Sequence, residues 1–216
     1  RAPEMGDPDH LLMLGRLVGR LHAVGAMRPF EHRPELSVQA FGHDSLAWLR
    51  EHDCVPESLR PAYFSVADDL LARVEEICQA HPHTSIRLHG DLHVGNLLWR
   101  DDSLYMVDMD DCRQGPAIQD LWMMLSGERD QRQGQLAELV EGYNEFHDFD
   151  PRQLPLIEPL RSLRLIHYSA WLARRWDDPA FPMHFPWFAS ERYWAEQILT
   201  LREQRAALDE PPLRLF

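Results

Sequence analysis

Apolar residues recur at helical spacing along most of this chain and give way to short strand-like runs only near its middle. Leu11, Leu14, Leu17, Val18 and Leu21 repeat every three or four positions after Asp7-Pro8, a pair suited to open a helix. That helix should end near Gly25. A polar, proline-bearing loop from Arg28 to Ser37 follows. Residues 43–53 and 57–80 predict two more helices, the second with Leu70, Leu71, Val74 and Ile77 on one face and His81-Pro82 as its stop. Residues 85–89 and 96–100 predict short strands on either side of a glycine-bearing segment. Asp101-Asp102-Ser103 predicts a turn, and Leu104 to Val107 the returning strand. Gly115-Pro116 breaks the chain before a short helix at about Ala117 to Leu125. Beyond Gly127 the pattern is helical again, over 129–147, 152–176 and 190–209. Between the last two, Asp177 to Phe188 interleaves three prolines with Phe181, Phe185, Trp187 and Phe188, which predicts a long loop with an aromatic lining. The tryptophans of the last third are expected mostly in the core. The fold class is therefore α+β and mostly α, with a small β element.

Composition narrows the picture. A chain of 216 residues with 44% hydrophobic content can bury a sizeable core. Its formal net charge of -13 argues against nucleic acid as a partner, because phosphate contacts need a basic surface. No apolar run approaches the roughly 20 residues of a membrane span, so no membrane partner is expected. Cys54, Cys78 and Cys112 have no paired spacing and are expected as free thiols in a reducing, cytoplasmic setting. All 22 basic residues are arginine. The opening Arg-Ala-Pro-Glu lacks an initiator methionine, and we read the chain as part of a longer polypeptide.

The candidate chemistry sits in the central β element. Arg87-Leu-His-Gly-Asp-Leu-His-Val-Gly-Asn96 places Asp91 five residues before Asn96, and Asp108 follows twelve residues later, closing an apolar run. Phosphoryl transfer from ATP to a hydroxyl needs a carboxylate to orient the nucleophile and receive its proton, and hard oxygens to hold magnesium against the phosphates. Asp91 suits the first role, Asn96 and Asp108 the second. Gly90 and Gly95 permit the tight backbone such a loop requires. Asp110 and Asp111 extend the acidic cluster, either as solvated loop residues or behind the metal. His89 is expected to pack under the loop and bond backbone, and His93 to lie near phosphates or substrate. Asp120 opens an apolar helix, where it can cap that helix or receive backbone N–H groups of the loop. Arg174-Arg175 is expected on a solvated or salt-bridged face. The lysine that grips ATP phosphates in kinases and any glycine-rich phosphate loop are both missing.

His-Gly-Asp-Leu-His-x-Gly-Asn followed by Val-Asp-x-Asp-Asp resembles the catalytic segment of the aminoglycoside phosphotransferase and choline kinase superfamily. Gly115-Pro-Ala to Gln119-Asp-Leu-Trp-Met123, Trp171-Leu to Arg174-Arg-Trp176, Asp178-Pro-Ala-Phe-Pro182 and Phe185-Pro-Trp187 narrow it to a bacterial serine/threonine protein kinase branch that serves stress responses. The resemblance implies a protein-kinase-like carboxy-terminal lobe over residues 1–216, with its β element at the catalytic cleft. It implies Asp91 as the catalytic aspartate, Asn96 and Asp108 as Mg2+ ligands at the ATP site, and a protein with Ser/Thr as acceptor. The family's ATP-binding amino-terminal lobe has no counterpart in the chain, so the chain by itself should be weakly active or inactive.

Four rival functions use the same residues. A small-molecule kinase acting on an aminoglycoside, choline or a homoserine-like alcohol differs only in its acceptor. A metal-dependent phosphohydrolase would use Val107-Asp-Met-Asp110, although that motif requires a Rossmann-like setting. A zinc hydrolase would be built on His89 and His93. A non-catalytic scaffold would have no need of Asp91, Asn96 and Asp108 together.

Overall fold

The computed structural model describes residues 6–101 and 103–215. Asp102 of the expected turn and the Arg-Ala-Pro-Glu opening lie outside them. In chain order the elements are α1 (Pro8–Gly25), α2 (Asp44–Glu51), α3 (Arg60–Ala80), β1 (Ile86–Leu88), β2 (Leu97–Arg100), β3 (Ser103–Met106), β4 (Arg113–Gly115), α4 (Gln119–Trp122), α5 (Arg129–Asn144), α6 (Ile157–Arg174), α7 (Ala180–His184) and α8 (Glu191–Ala207). They fall into two compact units. One takes the described parts of Arg1–Leu36, His81–Ile157 and Pro212–Phe216, the other Ser37–Ala80 and Glu158–Pro211. The α+β, mostly α expectation holds.

In the first unit, Asp7 caps α1 by accepting from Asp9 N at 3.0 Å, as expected of Asp before Pro. The buried stripe runs Leu11, Leu14, Val18 and then His22, while Leu17 and Leu21 are only half-buried. This stripe packs on α5, which buries Leu136, Leu139, Val140 and Tyr143. The two backbones approach closely. A Cβ at Gly15 would run into the Leu139 carbonyl, and one at Gly19 into that of Tyr143. Two antiparallel ribbons complete the unit. β2 pairs with β3, from Leu97 opposite Met106 to Arg100 opposite Ser103. β1 pairs with β4, from Ile86 opposite Gly115 to Leu88 opposite Arg113. The β1–β4 pairing was not anticipated: Arg113-Gln-Gly115 is short and polar, so alternation gives no signal, and its partner is distant in sequence.

In the second unit, α3 buries Tyr63, Ala67, Leu70, Leu71 and Val74 and packs against α8, with Ile77 only half-buried. A π-helical turn over Gln39–His43 leads into α2, begun by Ser37, whose Oγ accepts from Ala40 N at 3.1 Å. The helix expected from 152 starts later, at Ile157: the 3-10 turn over Pro151–Leu156, which belongs to the first unit, contains Pro155, which lacks the N–H an α-helix would use there. The expected loop at 177–188 contains α7, started by Asp178, whose Oδ1 accepts from Ala180 N at 2.9 Å. Its aromatic lining is present, with Trp171 against Phe181 at 5.2 Å and Phe185 against Trp187 at 5.8 Å. The tryptophan expectation needs correction. Trp194 and Phe188 are core, but Trp171 and Trp176 are half-buried and Trp187 is exposed. Arg174 and Arg175 are exposed and lie over the rings of Trp48 and Trp171.

Candidate active site

The motif residues lie at strand ends of the first unit: Asp91 follows β1, Asn96 precedes β2 and Asp108 follows β3. Gly90 has φ +88, a backbone conformation that side chains resist, and a Cβ there would collide with the Asp111 carbonyl. The turn delivers Asp91, about a quarter exposed, to the loop that precedes a 3-10 turn at Val94–Asn96. Asn96 is buried, and its Nδ2 donates to the Asp91 carbonyl at 3.0 Å. Because the amide N–H is spent on backbone, Oδ1 is the face left to act as a hard oxygen ligand. Asn96 O accepts from Val107 N at 3.0 Å, which ties β2 to the residue before Asp108. Asp108 adopts φ 63, ψ 64 and is exposed. Among the described residues no donor engages its carboxylate, which suits a metal ligand. The three sequence candidates are therefore joined through short backbone links.

Histidines brace this assembly. His89 is fully buried, and its Nε2 lies 2.9 Å from the Val107 carbonyl, so Nε2 carries the proton and donates. It thus links the Asp91 loop to the strand that ends at Asp108. His93 Nδ1 accepts from Gly95 N at 3.0 Å, while its Nε2 lies 3.6 Å from Asp91 Oδ2. Among the described residues no group of three or more His, Cys, Asp or Glu side chains is placed to hold a metal ion, so the zinc pairing of His89 and His93 finds no third ligand.

Asp120 is buried at the start of α4 and does not cap its own helix. Its Oδ2 accepts from His89 N at 2.7 Å and its Oδ1 from Gly90 N at 2.9 Å. Of the two expected roles, the structure thus shows the loop-holding one. Gln119 adds a third tether, donating from Nε2 to Gly90 O at 3.1 Å while its Oε1 receives Trp122 Nε1. Behind Asp120 stands His22, with Nε2 3.0 Å from Asp120 Oδ2 and Nδ1 2.9 Å from the Tyr143 hydroxyl. Burial first, then the charge of Asp120, pushes the Tyr143 phenol upward so that it keeps its proton. The same two causes raise the Cys112 thiol. Asp111 is drawn away from the cluster by Arg113, at 2.7 Å, and the Asp110 carbonyl accepts from Arg33. His22 and Tyr143 carry no linear motif, and Gln119 lies inside the Gly115 to Met123 motif, which assigns it no role. The one signal for His22 is that a polar residue follows Leu11, Leu14 and Val18 in the buried stripe of α1.

The phosphotransferase enzyme family profile matches residues 4–157, which contain every one of these side chains. The chain belongs to that family. It is 44% identical to stress response kinase A of Salmonella choleraesuis and 43% identical to that of Escherichia coli K12, over 98% of this chain and 64% of each relative. A Salmonella typhimurium relative, also 44% identical, is named serine/threonine protein kinase RdoA. The chain therefore spans under two thirds of these relatives' length. In fold it is similar to a choline/ethanolamine kinase family protein from Mesorhizobium loti (TM-score 0.62, 19% identity, 94% of this chain and 63% of that one). It is also similar to a microcompartment-associated aminopropanol kinase (TM-score 0.61, 20% identity, 97% and 65%). Membership of a phosphotransferase family lends no support to the phosphohydrolase reading of Val107-Asp-Met-Asp110. Among the described residues no helix is long and apolar enough to cross a membrane.

Proposed function

We propose that the protein carrying this chain is a cytoplasmic, ATP- and Mg2+-dependent serine/threonine protein kinase. The observation that carries the reading is the arrangement of Asp91, Asn96 and Asp108: one carboxylate and two oxygen ligands on a loop and hairpin fixed by backbone hydrogen bonds. Identity of 44% to relatives named as kinases supports a protein acceptor. Three free cysteines agree with a reducing compartment.

Asp91 orients the acceptor hydroxyl and takes its proton as the hydroxyl oxygen bonds the γ-phosphorus of ATP and the bond from that phosphorus to the β,γ-bridging oxygen breaks, releasing ADP. Asn96 through Oδ1 and Asp108 through its carboxylate would hold Mg2+, which spreads the phosphate charge when bound. The tethers to Asp120 and Gln119 keep Asp91 in place without reorganisation during transfer.

The test follows labelled γ-phosphate from Mg-ATP onto generic proteins and a panel of small alcohols, using the full polypeptide beside Asp91→Asn. Label on protein Ser or Thr that disappears in the variant is expected. Label confined to a small alcohol would move the acceptor to the small-molecule class. Absence of transfer from a folded enzyme would defeat the kinase reading.

A further inference from the structure

We propose that Tyr143 and His22 form a positioning relay that sets the geometry of Asp91 through Asp120, so that a hydroxyl on α5 tunes phosphoryl transfer. The inference rests on the assignment of Asp91 above.

With His22 taken as neutral, donor and acceptor match at every link of the relay. The Asp120 carboxylate only accepts, and it already receives His89 N and Gly90 N. The hydrogen on the facing His22 ring must therefore sit on Nε2, 3.0 Å away. In the neutral ring Nδ1 is then a bare acceptor, 2.9 Å from the Tyr143 hydroxyl, which supplies the matching proton. Tyr143 thereby selects the tautomer that can donate to Asp120. His22, Asp120 and Tyr143 are all buried, so water cannot replace a lost link. The backbone enforces the reach: α1 and α5 approach at Gly19, one turn before His22, where a Cβ would strike Tyr143 O. From Asp120 the chain of bonds passes to the two amides immediately preceding Asp91.

The experiment compares His22→Leu, His22→Gln, Tyr143→Phe and the Gln/Phe double variant in the full polypeptide, with Asp91→Asn as control. The Gln side chain can place an N–H where His22 Nε2 stands, but it has no counterpart of the Nδ1 acceptor. His22→Leu should lower kcat by about 10–100-fold with KM for ATP little changed, and His22→Gln should restore most of it. Amide exchange at His89 and Gly90 should quicken in His22→Leu while circular dichroism stays native. The imidazole 15N spectrum of the parent should show a neutral His22 protonated at Nε2, a signature that Tyr143→Phe alters. Tyr143→Phe should lower kcat in the parent and add nothing on top of His22→Gln, because that variant has already lost the Nδ1 acceptor.

Unchanged kcat in His22→Leu would overturn the relay. So would equal losses in the Leu and Gln variants that track their loss of folded protein, or additive losses in the double variant. Wild-type turnover in Asp91→Asn would instead remove the assignment on which the relay depends.

Discussion

At the scale of single residues, the site is defined by how each polar atom is committed. Asn96 uses its amide N–H on the Asp91 carbonyl, and Asp108 keeps its carboxylate outward. Asp91→Asn removes the proposed proton acceptor while preserving shape, and turnover of the full polypeptide should fall by about 10²–10⁴-fold in a γ-phosphate transfer assay. Asp108→Ala should weaken nucleotide binding with Mg2+ present and leave any metal-independent binding unaltered, as titration calorimetry with and without chelator would register. The thiols give a check on burial. Burial, with the charge of Glu75 second, pushes Cys78 up to about 11. At pH 7.5 its thiolate is scarce, and only the thiolate is nucleophilic. Iodoacetamide should therefore modify Cys78 slowly in the native chain and far faster in urea. Rapid native labelling would contradict its burial.

Elements depend on caps and close approaches that short sequence signals announce unevenly. Asp7 before Pro8 was legible as a helix start, because the cap and its first-turn proline are adjacent. Ser190 caps α8, accepting from Tyr193 N at 3.2 Å, and Ser190→Ala should cost about 1 kcal/mol in urea unfolding. The α1–α5 contact is more demanding. Gly19→Leu would force the helices apart at the Tyr143 carbonyl and should cost at least about 2 kcal/mol. A neutral result in the same unfolding assay would show that the two backbones are not held in register there. The strands flanking the glycine-bearing loop were visible from alternation, whereas β4 was not. Its three residues are polar or glycine, and only pairing with β1 makes them a strand. Likewise α7 was hidden by prolines that mark a loop, though Asp178 and Pro179 also suit a helix start.

For the molecule as a whole, the described residues divide between two compact units, and every residue assigned to the chemistry lies in one of them. The chain contains no lysine and covers 64% of its kinase relatives. We expect the chain alone to bind Mg-ATP with a Kd weaker than about 100 μM by calorimetry, since no lysine supplements the two proposed metal ligands. Micromolar affinity would show that this part suffices for nucleotide binding. The sequence by itself determined the α-rich class and the ribbon beside the loop, and it singled out Asp91, Asn96 and Asp108 as candidates, because these follow from local periodicity and from residues close together in the chain. Only the tertiary structure decided that Asp120 holds the loop instead of capping its helix, and that His22 and Tyr143 stand behind it. His22 and Tyr143 lie 121 positions apart. No local pattern encodes such a bond, and it exists because two helices, glycine against backbone, pack closely enough for the side chains to meet.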